Sequence, residues 1–286
     1  MSETSVRPIN KEILGMEGTD NLVTQIIPAI NVINTANFRA GDSTNLFTFS
    51  VAPGKTGRLG IFAAKKHEVE RAVMILLPQN TKPDGILICI THGFAQAAAA
   101  LSKLGWDNPL SPEAVKFALL KHIVNRWGAQ MLASRKNLAL VYILRSKGAK
   151  ELGPFASDGE FFMEVIKKIA ELTNNAFSYG KAEAFTFSSG IYDFNKFIVP
   201  VAKYLPINAV YAIDPVHSLN IINPSGGMRK QYASGTSGPI VAGFEPMGLD
   251  RWQNEDRYQM DKNDKFMYLH NHCMPMYCLH LGLETT

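Results

Sequence analysis

The sequence predicts an α/β protein with a mostly parallel central sheet covered by helices on both faces. From residue 85 onward, short apolar runs alternate with longer segments of helical period, the pattern of strand–helix–strand units. Those runs are apolar at nearly every position, as strands covered on both faces are. Before them, two strand-like runs lie too close together for a crossover, so the sheet opens with antiparallel N-terminal strands.

Up to about residue 50 the chain is polar and weakly patterned, a lead-in whose one short amphipathic element covers residues 22–30. The antiparallel pair is 57–63 and 70–78, the second run closed by the turn-forming Pro78-Gln79-Asn80-Thr81-Lys82-Pro83-Asp84-Gly85. Four further strands follow at 85–91, 137–144, 182–187 and 207–213. Helical segments fall around 111–134, 159–174 and 190–205, the first opening at Ser111-Pro112-Glu113 with a capping residue and a proline in the first turn. After Asp214, residues 223–227 and 234–239 have loop composition, while 239–244 and 265–270 are strand candidates. Residues 250–264 are charged and poor in aliphatics, an exposed helix or a lid. The expectation is one domain over 1–286, with 1–50 as lead-in and with cap or lid insertions at 95–134 and 219–264.

A chain of 286 residues, 46% of them hydrophobic, can bury one sizeable core. Its net charge is +4, and its lysines and arginines are spread along the chain, so no nucleic-acid partner is expected. Lys65-Lys66 and Lys167-Lys168 read as solvated faces. Cys89, Cys273 and Cys278 have none of the paired spacing of zinc or redox centres, so no metal is expected and a reducing compartment is. Cys89 sits in an apolar run as a buried, inert thiol. Met1 to Arg7 carry no secretory signal and no apolar run reaches bilayer length, which predicts a soluble, cytoplasmic protein. Export without a signal would leave no mark in these residues.

Chemistry concentrates at Thr186-Phe187-Ser188-Ser189-Gly190, which joins an apolar strand to a helical segment. A sharp turn of that kind exposes a hydroxyl and sets the next backbone N–H beside it. The motif resembles the nucleophile elbow of the α/β-hydrolase superfamily, Gly-x-Ser-x-Gly, with Thr186 in place of the first glycine. The resemblance extends to His92-Gly93-Phe94-Ala95-Gln96, which is similar to the family's His-Gly loop. It implies an α/β-hydrolase fold, Ser188 as nucleophile, and Phe94 and Ser189 N–H groups as oxyanion-hole donors. His92 takes a structural hydrogen-bonding role.

The family order of serine, acid and histidine places the other two groups. Ile213-Asp214-Pro215 follows the next strand and resembles the Leu-Asp-Pro segment of pancreatic-type lipases, so Asp214 is the first choice for the acid. Glu245 and Asp250 are the alternatives one strand later. Tyr268-Leu269-His270-Asn271-His272 offers two bases, His272 farther into the loop and His270 as the alternative. Trp106, Trp127 and Trp252 suit an apolar acyl pocket.

Two other motifs fail on spacing. Pro53-Gly54-Lys55-Thr56 would need a glycine where Phe49 stands to be a phosphate loop. Gly226-Gly227 and Gly235 open no strand–helix unit of the dinucleotide-binding kind, so no nicotinamide cofactor is expected. The reading is a serine esterase or lipase-like enzyme, without a cofactor, acting on a small-molecule or lipid ester. Its rivals are a non-catalytic binding relative and an enzyme that cleaves an amide, thioester or carbon–carbon bond on the same scaffold.

Overall fold

The computed structural model describes residues 4–14, 21–23, 37–39, 45–52, 55–91, 110–124, 126–145, 152–215, 220–232 and 274–285. They build one 11-stranded mixed sheet with helices on both faces. Its parallel half holds the four strands read from the sequence: β7 (Gly85–Thr91), β8 (Leu138–Ile143), β9 (Ala182–Phe187) and β10 (Ile207–Ile213). Every residue of β7, β8 and β9 is buried, which explains their continuous apolar runs.

The spatial order across this half is β8, β7, β9, β10 and then the edge strand β11 (Met228–Tyr232), all parallel. Consecutive strands therefore run outward on either side of β7. That reversal is where open parallel sheets form clefts at the carboxyl ends of their strands. On the other side, β6 (Val69–Pro78) is antiparallel to both β8 and β5 (Lys55–Lys66), which fulfils the antiparallel opening.

Two parts of the sheet depart from the sequence reading. The lead-in contributes β1 (Ser5–Pro8), β2 (Asn21–Val23), β3 (Asn37–Arg39) and β4 (Phe47–Ala52), which extend the antiparallel half beyond β5. β1 and β4 pair with the long β5, β3 with β4 and β2 with β3, a chain of strand partners that a local pattern does not show. Likewise β11, Met228-Arg229-Lys230-Gln231-Tyr232, lies within 219–264, expected as a cap or lid insertion, and instead joins the central sheet beside β10. Among the described residues it is the last strand on that side of the sheet, half-exposed, and strands so placed carry polar residues.

One face of the sheet is covered by the short α1 (Asn10–Leu14), α2 (Pro112–Ala118), a π-helical turn over Leu119–Val124, α3 (Trp127–Ala133) and α6 (Met274–Glu284). Residues 110–124 and 126–134 thus belong to a core layer, which corrects the expectation of a cap over that part of 95–134. The helical segment expected around 111–134 is interrupted before α3. There Gly128 packs so close to the preceding turn that a Cβ would lie 2.3 Å from the Ile123 carbonyl oxygen. Among the described residues, no helix is long and apolar enough to cross a membrane.

The other face carries α4 (Gly159–Leu172) and α5 (Ile191–Val201), whose Phe161, Phe162, Phe197 and Ile198 pack on Ile88, Ile90, Ala184 and Val210. Asp158 caps α4, accepting from the Phe161 N–H at 2.9 Å and pairing with Lys66. Burial alone would raise its carboxyl pKa, but hydrogen bonds from Lys66 and the Phe161 N–H outweigh burial and hold it below the ordinary value. A depressed folded-state pKa stabilises above the unfolded-state value and loses that effect as pH falls through the folded-state value. Asp158→Ala is therefore expected to cost about 1 kcal/mol at neutral pH. In urea titrations, the gap from wild type should close below about pH 4.

Candidate active site

The carboxyl ends of the parallel strands fall into a row. Thr91 of β7 pairs with Phe187 of β9, Phe187 with Ile213 of β10, and Ile213 with Tyr232 of β11. Ser188 is the next residue after Phe187, and Asp214 the next after Ile213. They stand at the same level on adjacent strands, whose usual spacing is about 4.8 Å. The structure thus brings together two of the residues singled out in the sequence, 26 positions apart in the chain.

Both residues are left-handed, with φ of 56° at Ser188 and 42° at Asp214. L-residues with a Cβ avoid this region, at a cost of roughly 1–2 kcal/mol each. At Ser188 the cause is the abrupt join of β9 to a single 3₁₀ turn over Ser188–Gly190 and then to α5. A strand-to-helix turn this sharp is the conformation of a nucleophile elbow. Ser188 is only 3% exposed, and Ser189 beside it is partly exposed. The Asp214 N–H donates to the Tyr232 carbonyl at 2.6 Å, which fixes the turn after β10 to the edge strand.

The glycine that ends the motif is required by space. A Cβ on Gly190 would lie 2.7 Å from the Ile90 carbonyl oxygen and 2.9 Å from the Thr91 carbonyl carbon, so the elbow is pressed onto the end of β7. The same Cβ would lie 2.7 Å from Thr186 Oγ1. Thr186 therefore fits where the family has glycine, because the bare Cα of Gly190 leaves room for its side chain. It is fully buried, and its hydroxyl has no hydrogen-bond partner among the described residues. A buried hydroxyl without a partner contributes only its desolvation cost. Thr186→Val is accordingly expected to leave thermal stability within about 1 kcal/mol of wild type, on the favourable side. A loss above that in a thermal melt would show that the hydroxyl is bonded.

Beneath the row, the Tyr142 hydroxyl lies 3.4 Å from Thr91 Oγ1, and the Tyr142 ring stacks on His122 at 5.3 Å. Burial, reinforced by the neighbouring Cys89, pushes the Tyr142 phenol well above its ordinary pKa, so it stays neutral. Burial likewise raises the Cys89 thiol.

A feature that the sequence reading missed joins this rim. Arg145, two residues past β8, donates from Nη1 to the Thr91 carbonyl at 2.6 Å, and its Nη2 pairs with Asp193 in the first turn of α5. The two side chains are 4% and 1% exposed.

The other residues singled out fall as follows. Trp127 is fully buried in the core against Phe185 and Phe187, where its ring is packing. His92, Phe94, Trp106, Glu245, Asp250, Trp252, His270 and His272 lie outside the described residues. Among the described residues, no three histidine, cysteine or acidic side chains converge as a metal would need. A polar cleft of 520 Å³, bounded by Asp84, Lys136, Lys181, Glu183 and Asn208, opens at the amino ends of the strands, on the rim opposite Ser188. Its lysines are already paired, Lys181 with Asp84 at 2.7 Å and Lys136 with Glu183 at 2.9 Å.

No protein-family model and no curated protein sequence matches the chain. Among solved structures it is similar to a fungal esterase from Rhizomucor miehei, at 15% identity and a TM-score of 0.37, over 56% of this chain and 44% of that one. It is similar to the rice cell wall degrading esterase LipA from Xanthomonas oryzae, at 14% identity and a TM-score of 0.34, over 58% and 44%. A third is the acetyl xylan esterase from Aspergillus awamori, at 10% identity and a TM-score of 0.30, over 51% and 47%. The chain spans less than half the length of each of these three esterases.

Proposed function

We propose that the protein is a serine hydrolase that cleaves a carboxylic or lipid ester through an acyl-enzyme on Ser188. The observation that carries this reading is the left-handed Ser188 at a strand-to-helix turn on the carboxyl rim, with Asp214 at the same level on the next strand. A non-glycine residue held in this region, beside a second one, is strain of the kind that clusters at active sites.

In the proposed reaction, His272, oriented by Asp214, removes the Ser188 hydroxyl proton as Oγ attacks the ester carbonyl. The electron pair of the carbonyl moves onto its oxygen, which the Ser189 and Phe94 N–H groups stabilise. Collapse expels the alkoxide, which takes the proton from the histidine. Water, deprotonated by the same histidine, then attacks the acyl-enzyme and releases the acid, with the proton returning to Ser188. His270 in place of His272, and Glu245 or Asp250 in place of Asp214, are the alternative partners. Thr186, which stands where the Gly-x-Ser-x-Gly motif has its first glycine, is accommodated beside Gly190.

A fluorophosphonate probe tests the reading. One equivalent should attach to the folded protein, and peptide mapping should place it on Ser188. Absence of labelling in a protein that melts cooperatively would favour the binding relative.

A further inference from the structure

We propose that Arg145 is a positioning residue that, with Asp193, locks the nucleophile elbow onto the end of β7; this rests on the serine-hydrolase reading for its catalytic consequence. The elbow is strained at Ser188, and its helix is poorly anchored by local means. Gly190 precedes α5 and gives it no side-chain cap, and Asp193, at the third helical position, is turned to Arg145 instead of back onto the helix end. A left-handed residue persists only where its surroundings over-determine it. Strand register and the tight seat of Gly190 on Ile90 and Thr91 provide part of that constraint.

The Arg145 guanidinium provides the rest. Its planar fork reaches two elements at once, the Thr91 carbonyl at 2.6 Å and the Asp193 carboxylate. Thr91 is the last residue of β7, and its carbonyl carbon is among the atoms that close over Gly190. The lock therefore spans the contact on which the elbow rests. Asp193 is five residues from Ser188 and one helical turn from Ser189, so pulling it toward β7 fixes the first turn of α5 and the direction of the Ser189 N–H. Both charges are out of water, which makes the pair rigid but sensitive to loss of either member. An apolar pair would fill the same space without tying α5 to a backbone carbonyl.

The test compares wild type with Arg145→Met/Asp193→Leu, an apolar replacement that keeps the buried space filled, and with Arg145→Lys, which keeps the charge but not the fork. Melting curves establish the folded fraction. Hydrogen–deuterium exchange is followed in peptides covering 86–91 and 186–196, and ester turnover is measured per fluorophosphonate-titrated site. In the folded double variant, both peptides should exchange at least tenfold faster. kcat per site should fall roughly 10²-fold, as misplacement of a reacting group by about 1 Å can do, with KM within about twofold. Arg145→Lys should fall between the two proteins. Unchanged exchange in both peptides, or unchanged kcat per site, would overturn the lock. If wild type takes no probe, the serine reading falls, and the exchange rates still decide whether Arg145 ties α5 to β7.

Discussion

Ser188→Ala should lower kcat for ester hydrolysis on the order of 10⁶-fold, because in the proposed mechanism it removes the nucleophile and so disables a catalytic group that acts as a unit. Binding and oxyanion stabilisation should leave a residual acceleration of roughly 10³–10⁴-fold over water. Fluorophosphonate labelling should vanish in parallel. The fold should remain, since Ser188 follows β9 and contributes no side chain to either apolar cluster.

The strained backbone supplies an internal control. Alanine at 188 must adopt the same left-handed conformation as serine, whereas glycine adopts it without steric cost. Ser188→Gly should therefore be inactive yet more stable than Ser188→Ala by about 1 kcal/mol in urea titrations. Equal stability of the two would mean that the elbow relaxes once the serine is gone, and that the strain belongs to the side chain.

Trp127→Ala should cost about 3–5 kcal/mol, the usual range for truncating a buried tryptophan. Its indole is fully buried, 5.1 Å from the Phe185 ring and 5.6 Å from the Phe187 ring. Those two residues share one face of β9, and Ser188 follows the second directly. The ring thus fastens the α3 layer to the strand that runs into Ser188. Because a domain is stable by only about 5–15 kcal/mol, the variant should unfold at a far lower urea concentration. A loss of under about 1 kcal/mol would show that α3 repacks and that β9 does not depend on it.

Much of this architecture was legible from the chain. Strands 85–91, 182–187 and 207–213 were bounded as they are found, because a buried parallel strand writes itself as an apolar run with turn residues at its ends. Ser188 was legible for the same reason, since it sits where such a run gives way to helical period. What escaped were elements whose stability lies elsewhere. β11 is half-exposed and polar, and β1 to β4 hold by pairing with β5 or with each other. α6 went unread in a stretch taken as the histidine-bearing loop and its sequel. Arg145 and Asp193 escaped too, although an acid on the apolar stripe shared by Phe197 and Val201 is a signal that a buried partner is needed.

The sequence by itself determined the class of fold, the strand that runs into Ser188 and the strand that runs into Asp214. Apolar periodicity and turn chemistry are local properties and can be read locally. Only the tertiary structure decided that these two ends lie side by side, that Ser188 is held left-handed, and that Thr186 is tolerated because Gly190 yields the space. It alone also decided that Arg145 and Asp193 meet. Each of these depends on which strands are neighbours and how closely a helix seats on a strand end, which the order of residues along the chain does not show.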